Sequence, residues 1–179
     1  MRGELIKLHH RLRSTMIYVT HDQVEAMTMG ERICIMNRGK VVQIGAPLEV
    51  YRDPADTFVA AFLGSPPTNL IPARLNGAAL LVGESKLSLS SKAGLESVIF
   101  GIRPEDIRID GATPHAQGEV LAVEPLGAET ILRLRMPGVA GDVMVRGPRT
   151  VAAKVGDRVP LAFDLAAAHL FDPNTQQRI

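Results

Sequence analysis

The sequence predicts an α+β chain, with a partial α/β segment first and an all-β, barrel-like domain after it. Three observations carry that expectation. The apolar run Met16-Ile17-Tyr18-Val19 leads directly into Thr20-His21-Asp22 and a helical pattern, as at the exit of a strand covered on both faces. The stretch Gly64-Ser65-Pro66-Pro67-Thr68-Asn69 then interrupts the chain, its paired prolines stiffening a link. Beyond it, short apolar stretches recur between Gly and Pro residues, the texture of a small closed or sandwiched β domain.

Each element has its own signal. Residues 3–13 read as a helix with Leu5, Leu8 and Leu12 on one face. Residues 16–19 read as a buried strand. Asp22 is placed to cap a helix over 23–29, and Glu25, three residues on, has capping-box spacing. Residues 32–36 and 41–44 read as strands joined by the turn signal Asn37-Arg38-Gly39-Lys40. Pro47 suits the first turn of a short helix through Tyr51, which Asp53-Pro54 breaks. Asp56 can cap a helix through Phe62 that buries Phe58, Val59 and Phe62, and Gly64 ends it. Strands are then expected at 70–75, 79–82, 87–89, 98–102, 118–123, 130–134, 143–146 and 159–163, the sixth alternating at its end as a half-exposed strand does.

Bulk composition narrows the function classes. Of the 179 residues, 46% are apolar and 4% aromatic with no Trp, so a globular core must be aliphatic. The net charge is +1, with 8 basic and 7 acidic residues through Gly64 and 12 of each after it. Neither part has the charge asymmetry that nucleic acid or an anionic membrane demands. The one cysteine, Cys34, cannot form an internal disulfide, which fits a reducing cytoplasm; it lies in an apolar run and is expected to be buried. No signal peptide is recognisable, and no run approaches the roughly 18 apolar residues of a membrane span.

The segment Thr20-His21-Asp22-Gln23-Val24-Glu25-Ala26-Met27 after an apolar strand resembles the switch-histidine segment of ABC-transporter ATPase subunits. The resemblance is to the branch that drives sugar and glycerol 3-phosphate importers, the maltose importer among them. It continues through Gly30-Glu31-Arg32-Ile33, Met36-Asn37-Arg38-Gly39-Lys40-Val41, Gln43-Ile44-Gly45-Ala46-Pro47 and Tyr51-Arg52-Asp53-Pro54. Phe62-Leu63-Gly64-Ser65-Pro66, Gly101-Ile102-Arg103-Pro104-Glu105-Asp106 and Glu124-Pro125-Leu126-Gly127 extend it essentially end to end. It implies a partial α/β P-loop-type ATPase subdomain at residues 1–64, a linker at 65–69 and an all-β OB-like (TOBE) regulatory domain at 70–179.

Other parts of the family's pattern are not found in these residues. The phosphate loop G-x-x-x-x-G-K-[ST] cradles phosphates with backbone N–H groups and a Lys. Gly39-Lys40 is the only Gly-Lys pair, Cys34 stands five before it and Val41 follows it, so the pair reads as a hairpin turn. Leu87-Ser88-Leu89-Ser90-Ser91 is no substitute for the signature Leu-Ser-Gly-Gly-Gln, and no acidic magnesium-binding strand precedes His21. The chain therefore reads as the back half of a subunit about twice as long, a C-terminal fragment of an importer's ATP-binding subunit.

The resemblance implies that His21 contacts the terminal phosphate of ATP, and takes part in catalysis, only in a complete ATPase dimer. ATP and Mg would be the cofactors there, and no cofactor or hydrolysis is expected of this chain alone. The expected partners are a second copy, as a homodimer, and separate membrane subunits, with no nucleic acid and no direct membrane insertion. The expected location is cytoplasmic, peripheral to the inner face of the cell membrane. The cargo stays open among sugars, polyols and glycerol 3-phosphate. The alternatives are a stand-alone non-enzymatic regulatory or dimerisation module, and a small-anion-binding β domain.

Plainer readings stand beside the sharp ones. Asp22 and Glu25 are explained by a helix cap without catalysis. His9 and His10 point in different directions on a helix and do not join His21 as a metal site; His115 and His169 are isolated. Arg103, Glu105 and Asp106 read as a charged turn stabilised by Pro104 and a local ion pair, while the resemblance implies a contact surface between regulatory domains or with a regulator. A half ATPase domain would lack the strands that flank residues 16–19, leaving apolar surface and open backbone there.

Overall fold

The computed structural model describes residues 2–12, 14–88, 95–110 and 113–179, the side chains of Arg2 and His10 excepted. The predicted helix end at Arg13 and strand end at Leu89 lie outside the described residues. The chain divides into two compact units, Met1–Ala55 and Asp56–Ile179.

In the first unit, helix α1 (Arg2–Leu12) precedes an extended stretch and helix α2 (Gln23–Met29). Strands β1 (Ile33–Asn37) and β2 (Lys40–Gly45) form an antiparallel hairpin, followed by helix α3 (Pro47–Arg52). The hairpin turn has positive φ at both Arg38 (49°) and Gly39 (78°), the backbone of a type I′ turn, whose twist matches that of paired strands. Ile33 and Ile35 are buried while Cys34 is exposed and Met36 is 56% exposed. This corrects the expectation of a buried thiol: period-two alternation turns Cys34 to the open face of the ribbon.

Residues 14–20 also differ from expectation. They belong to no strand, and Ile17 and Val19 are 92% and 90% exposed. A strand needs a neighbour for its backbone groups, and none of the described residues pairs with this segment.

The second unit opens with helix α4 (Thr57–Phe62). Asp56 Oδ1 accepts from Val59 N at 2.8 Å, as predicted for its cap. Val59 is buried, but Phe62 is 43% exposed and stacks on Phe58 outside the core, so the helix buries Thr57, Val59 and Ala60 instead. The strands follow in order: β3 (Asn69–Asn76), β4 (Ala79–Val82), β5 (Ser85–Ser88), β6 (Ser97–Ile102), β7 (Ile107–Arg108), β8 (Ala116–Pro125), β9 (Glu129–Arg135), β10 (Asp142–Pro148), β11 (Arg158–Phe163) and β12 (His169–Phe171). A 3-10 turn, Pro104–Asp106, links β6 to β7.

They form two five-stranded antiparallel sheets, ordered β10-β9-β8-β11-β7 and β12-β6-β3-β4-β5. The first curls until β10 runs beside β7, so it is nearly closed, as an OB-like barrel is. One core lies between the sheets: Leu80, Phe100 and Ile102 of one meet Leu132, Leu134 and Phe163 of the other. Phe100 and Phe163 meet edge to face with centroids 6.0 Å apart. Buried Asn69 ties the sheets together: its Nδ2 donates to Met144 O (2.8 Å) and Ile102 O (3.2 Å), and its Oδ1 accepts from Met144 N (2.7 Å).

The segment after α4 is held within the same unit. Thr68 Oγ1 donates to Ala60 O at 2.7 Å, Arg103 Nη1 to Leu63 O at 2.7 Å, and Arg146 Nη2 to Ser65 O. On the other side of the division, Gln43 donates to Asp53 O and accepts from Ala55 N, which holds residues 53–55 to β2. These two sets of anchors explain why the units part at Ala55, ahead of the proline pair.

Candidate functional site

His21 sits in a turn whose two neighbours are fixed. Asp22 Oδ1 accepts from Val24 N (2.8 Å) and Glu25 N (3.1 Å), capping α2 as its sequence position requires. The reciprocal half of the capping box does not form. Asp22 N donates instead to Thr20 Oγ1 at 3.0 Å, and Thr20 Oγ1 donates to Glu25 Oε2 at 2.7 Å. Thr20 thus relays between the groups that a capping box would join directly. Tyr18 OH donates to the same carboxylate oxygen at 3.2 Å. Hydrogen bonding to Glu25, and then its charge, raise the Tyr18 phenol above its ordinary value.

The result is an exposed imidazole on a pinned backbone. Thr20 on one side and Asp22 on the other leave the turn little freedom, while His21 itself takes no hydrogen bond from the described residues. A neutral imidazole can accept at one nitrogen and donate at the other, so it can meet a phosphate oxygen or a water. Asp22 and Glu25 are occupied in holding the turn.

The other sequence candidates do not join it. Among the described residues no three His, Cys, Asp or Glu side chains lie close enough to hold a metal ion. The His10 side chain lies outside the described residues. His115 is part of the barrel: its Nδ1 accepts from Phe163 N at 3.0 Å and its ring stacks on that of Phe163.

Arg103 is 6% exposed and its guanidinium reaches the Leu63 carbonyl, so the turn does more than close a local ion pair. Asp106 N donates to Arg103 O at 3.0 Å, closing the 3-10 turn. Burial raises the Asp106 carboxyl above its ordinary value, the charges of Glu105 and Asp164 add to the shift, and Arg103 opposes it.

The outer face of the first sheet is balanced. Arg133 pairs with Glu124 (3.4 Å) and Asp142 (3.9 Å), and Arg146 with Glu129 (3.4 Å). A groove of about 320 Å³ near the 136–139 turn is lined by Gln117, Glu119, Arg135 and Arg158 among others. Register places Glu119 between Arg158 of β11 and Arg135 of β9, so a carboxylate offsets the two guanidiniums. Phe100, Phe163 and Phe171 are buried, and therefore offer bases no stacking platform. No helix of the described residues is long and apolar enough to cross a membrane.

Sequence reasoning missed Asn69, Arg146 and Gln176 as structural anchors. A signal existed for Asn69: a strand-averse residue at the head of an apolar strand has a reason to be there.

Comparison with known proteins agrees with this architecture. The family described as "MalK OB fold domain" matches residues 64–107, and the family described as "TOBE domain" matches residues 100–171. The sn-glycerol-3-phosphate import ATP-binding protein UgpC of Cereibacter sphaeroides is 42% identical over 180 residues, covering 100% of this chain and 51% of the relative. The protein of the same name from Rhodopseudomonas palustris is 42% identical over 197 residues, covering 100% and 52%. An uncharacterized ABC transporter ATP-binding protein, y4oS, of Sinorhizobium fredii is 43% identical over 186 residues, covering 100% and 49%. The chain spans about half the length of these relatives and matches their C-terminal part.

Proposed function

Residues 64–171 carry the MalK OB-fold and TOBE domains in a chain homologous to the C-terminal part of ABC import ATP-binding subunits, and from this premise we propose that it serves as that part of an importer's ATPase. In this reading residues 1–64 complete the nucleotide-binding domain in sequence, with α4 packed in the β unit, 65–69 link it onward, and 70–179 form the regulatory domain. The names of the relatives favour sn-glycerol 3-phosphate as cargo within the wider set of sugars and polyols.

The observation that carries the reading is the exposed imidazole of His21 on a turn held by Thr20, Asp22 and Glu25, directly after an apolar segment that no strand of the described residues flanks. That environment fits one polar contact to the terminal phosphate of ATP. His21 would orient a phosphate oxygen or the attacking water, with Thr20 and Asp22 as positioning residues. ATP with Mg supplies the phosphoryl group to be hydrolysed and the charge neutralisation around it. The exposed side chains of residues 16–19 suit a strand completed by further ATPase-domain strands.

In this reading two such subunits pair, the barrel domains form a regulatory assembly, and the complex sits on membrane subunits at the cytoplasmic face. His21 alone does not hydrolyse ATP. Calorimetric titration of the purified chain with Mg-ATP tests that division: negligible heat from a chain whose barrel melts cooperatively is expected. Tight binding or turnover would overturn it by showing a self-contained nucleotide site.

A further inference from the structure

We propose that the C-terminal segment 172–179 is a strap that fixes α4 to the barrel, so that whatever acts on α4 acts on the β unit. α4 has six residues, too few to persist as a helix without outside support. Its first turn leaves backbone donors open. One of them, Thr57 N, donates to Gln176 O at 3.0 Å, and Thr57 Oγ1 donates to Gln176 Oε1 at 2.8 Å. Thr57 is 5% exposed, so loss of the tail would strand two buried polar groups. Asp56 and Gln177 add an antiparallel bridge beside them.

The other side of the strap is sewn to the barrel. Ile179 N donates to Leu170 O at 3.0 Å, and Arg178 bridges Phe171. Both Leu170 and Phe171 belong to β12, which pairs with β6 in the second sheet. Asp172 builds the reversal between the two sides. Its Oδ1 accepts from Asn174 N (2.7 Å), its carbonyl from Gln176 N (2.7 Å), and its own N–H donates to Gln177 O (2.9 Å). Gln176 has φ +62°, a left-handed conformation that a residue other than glycine keeps only where its surroundings hold it. The strap holds it so that carbonyl and side chain both reach Thr57.

Amide hydrogen exchange of the whole chain tests the strap, using a variant ending at Thr175 and the point variant Gln176→Ala. The truncated variant is expected to exchange the amides of Ala60 in α4 and of Leu63 at its C-cap about tenfold faster or more, the effect of losing at least one buried hydrogen bond, with β6, β8 and β9 amides unchanged. Gln176→Ala, which removes only the side-chain bond, is expected to give a smaller acceleration confined to α4. Unchanged α4 exchange in Gln176→Ala would overturn the proposal, even if the truncated chain does not fold. Equal acceleration in the barrel strands would also overturn it, because the tail would then be an ordinary part of barrel stability.

Discussion

Replacing Asn69 with Leu tests what joins the two sheets of the barrel. The side chains share the same branching and number of heavy atoms, so the change removes the hydrogen bonds while keeping the shape, with the bulkier methyls adding an overpacking cost to the loss. Asn69 is 7% exposed and makes three bonds, to Met144 N, Met144 O and Ile102 O. Its loss strands one part-buried donor and removes partners from two carbonyls. An orphaned buried group costs about 1–3 kcal/mol, with carbonyls toward the low end because they hold two lone pairs. The sum is about 3–4 kcal/mol, a large share of the roughly 5–15 kcal/mol that holds an ordinary domain together. At about 4 °C per kcal/mol for a unit of this size, the barrel should melt about 12–16 °C lower. Urea unfolding followed by far-ultraviolet circular dichroism is the assay, with the slope against denaturant expected to stay constant. Asn69→Asp adds a check: it keeps the acceptor for Met144 N but turns an oxygen toward two carbonyls, so it should be at least as damaging at neutral pH and partly recover when acid protonates it. A loss below about 1 kcal/mol for Asn69→Leu would refute the view that this residue clamps the sheets.

Three further outcomes follow from local geometry. Gly83→Ala should destabilise by about 1–3 kcal/mol beyond Gly77→Ala, read by urea midpoint, because a Cβ at Gly83 meets Pro137 O and Gly138 C while Gly77, with the same sign of φ, faces open space. Asp106 has its folded-state carboxyl raised by burial, so the folded state binds a proton more readily than the unfolded chain. Its contribution is fully present below the ordinary carboxylate value and is lost as pH rises through the folded value; Asp106→Asn should therefore stabilise the barrel at neutral pH, with the gain fading in acid, as thermal melts across pH would show. Cys34, exposed on the hairpin, should react with a thiol reagent in the native chain as fast as in urea, whereas strong native-state protection would contradict its placement.

Much of the fold was legible in the sequence because its signals were local. Asn37-Arg38-Gly39-Lys40 marked the hairpin turn, where Gly39 takes positive φ freely and Arg38 is held in it, and Asp56 capped α4 as its position required. The long barrel strands showed as apolar stretches between turn residues. Strands β7 and β12, with two and three residues, are too short to carry a period and exist only because neighbours pair with them. Residues 16–19 fail in the opposite way: their apolar pattern asks for covering layers, and the described residues supply none. Cys34 was misjudged by reading an apolar run as buried on both faces when the ribbon buries only Ile33 and Ile35. At the candidate site, the Asp22 cap of α2 was visible in the motif that nominates His21. The Thr20 relay was not, since it depends on which of two acceptors the Asp22 amide finds in three dimensions.

The most direct test joins this chain to the front half of the Cereibacter sphaeroides relative, at the point where their alignment begins, and measures ATP hydrolysis with and without His21→Ala. The account predicts that the fusion hydrolyses ATP, that His21→Ala lowers turnover by about a hundredfold or more, as loss of a residue acting on the reacting phosphate does, and that nucleotide binding survives. An active fusion whose turnover is untouched by His21→Ala would contradict the role assigned to His21.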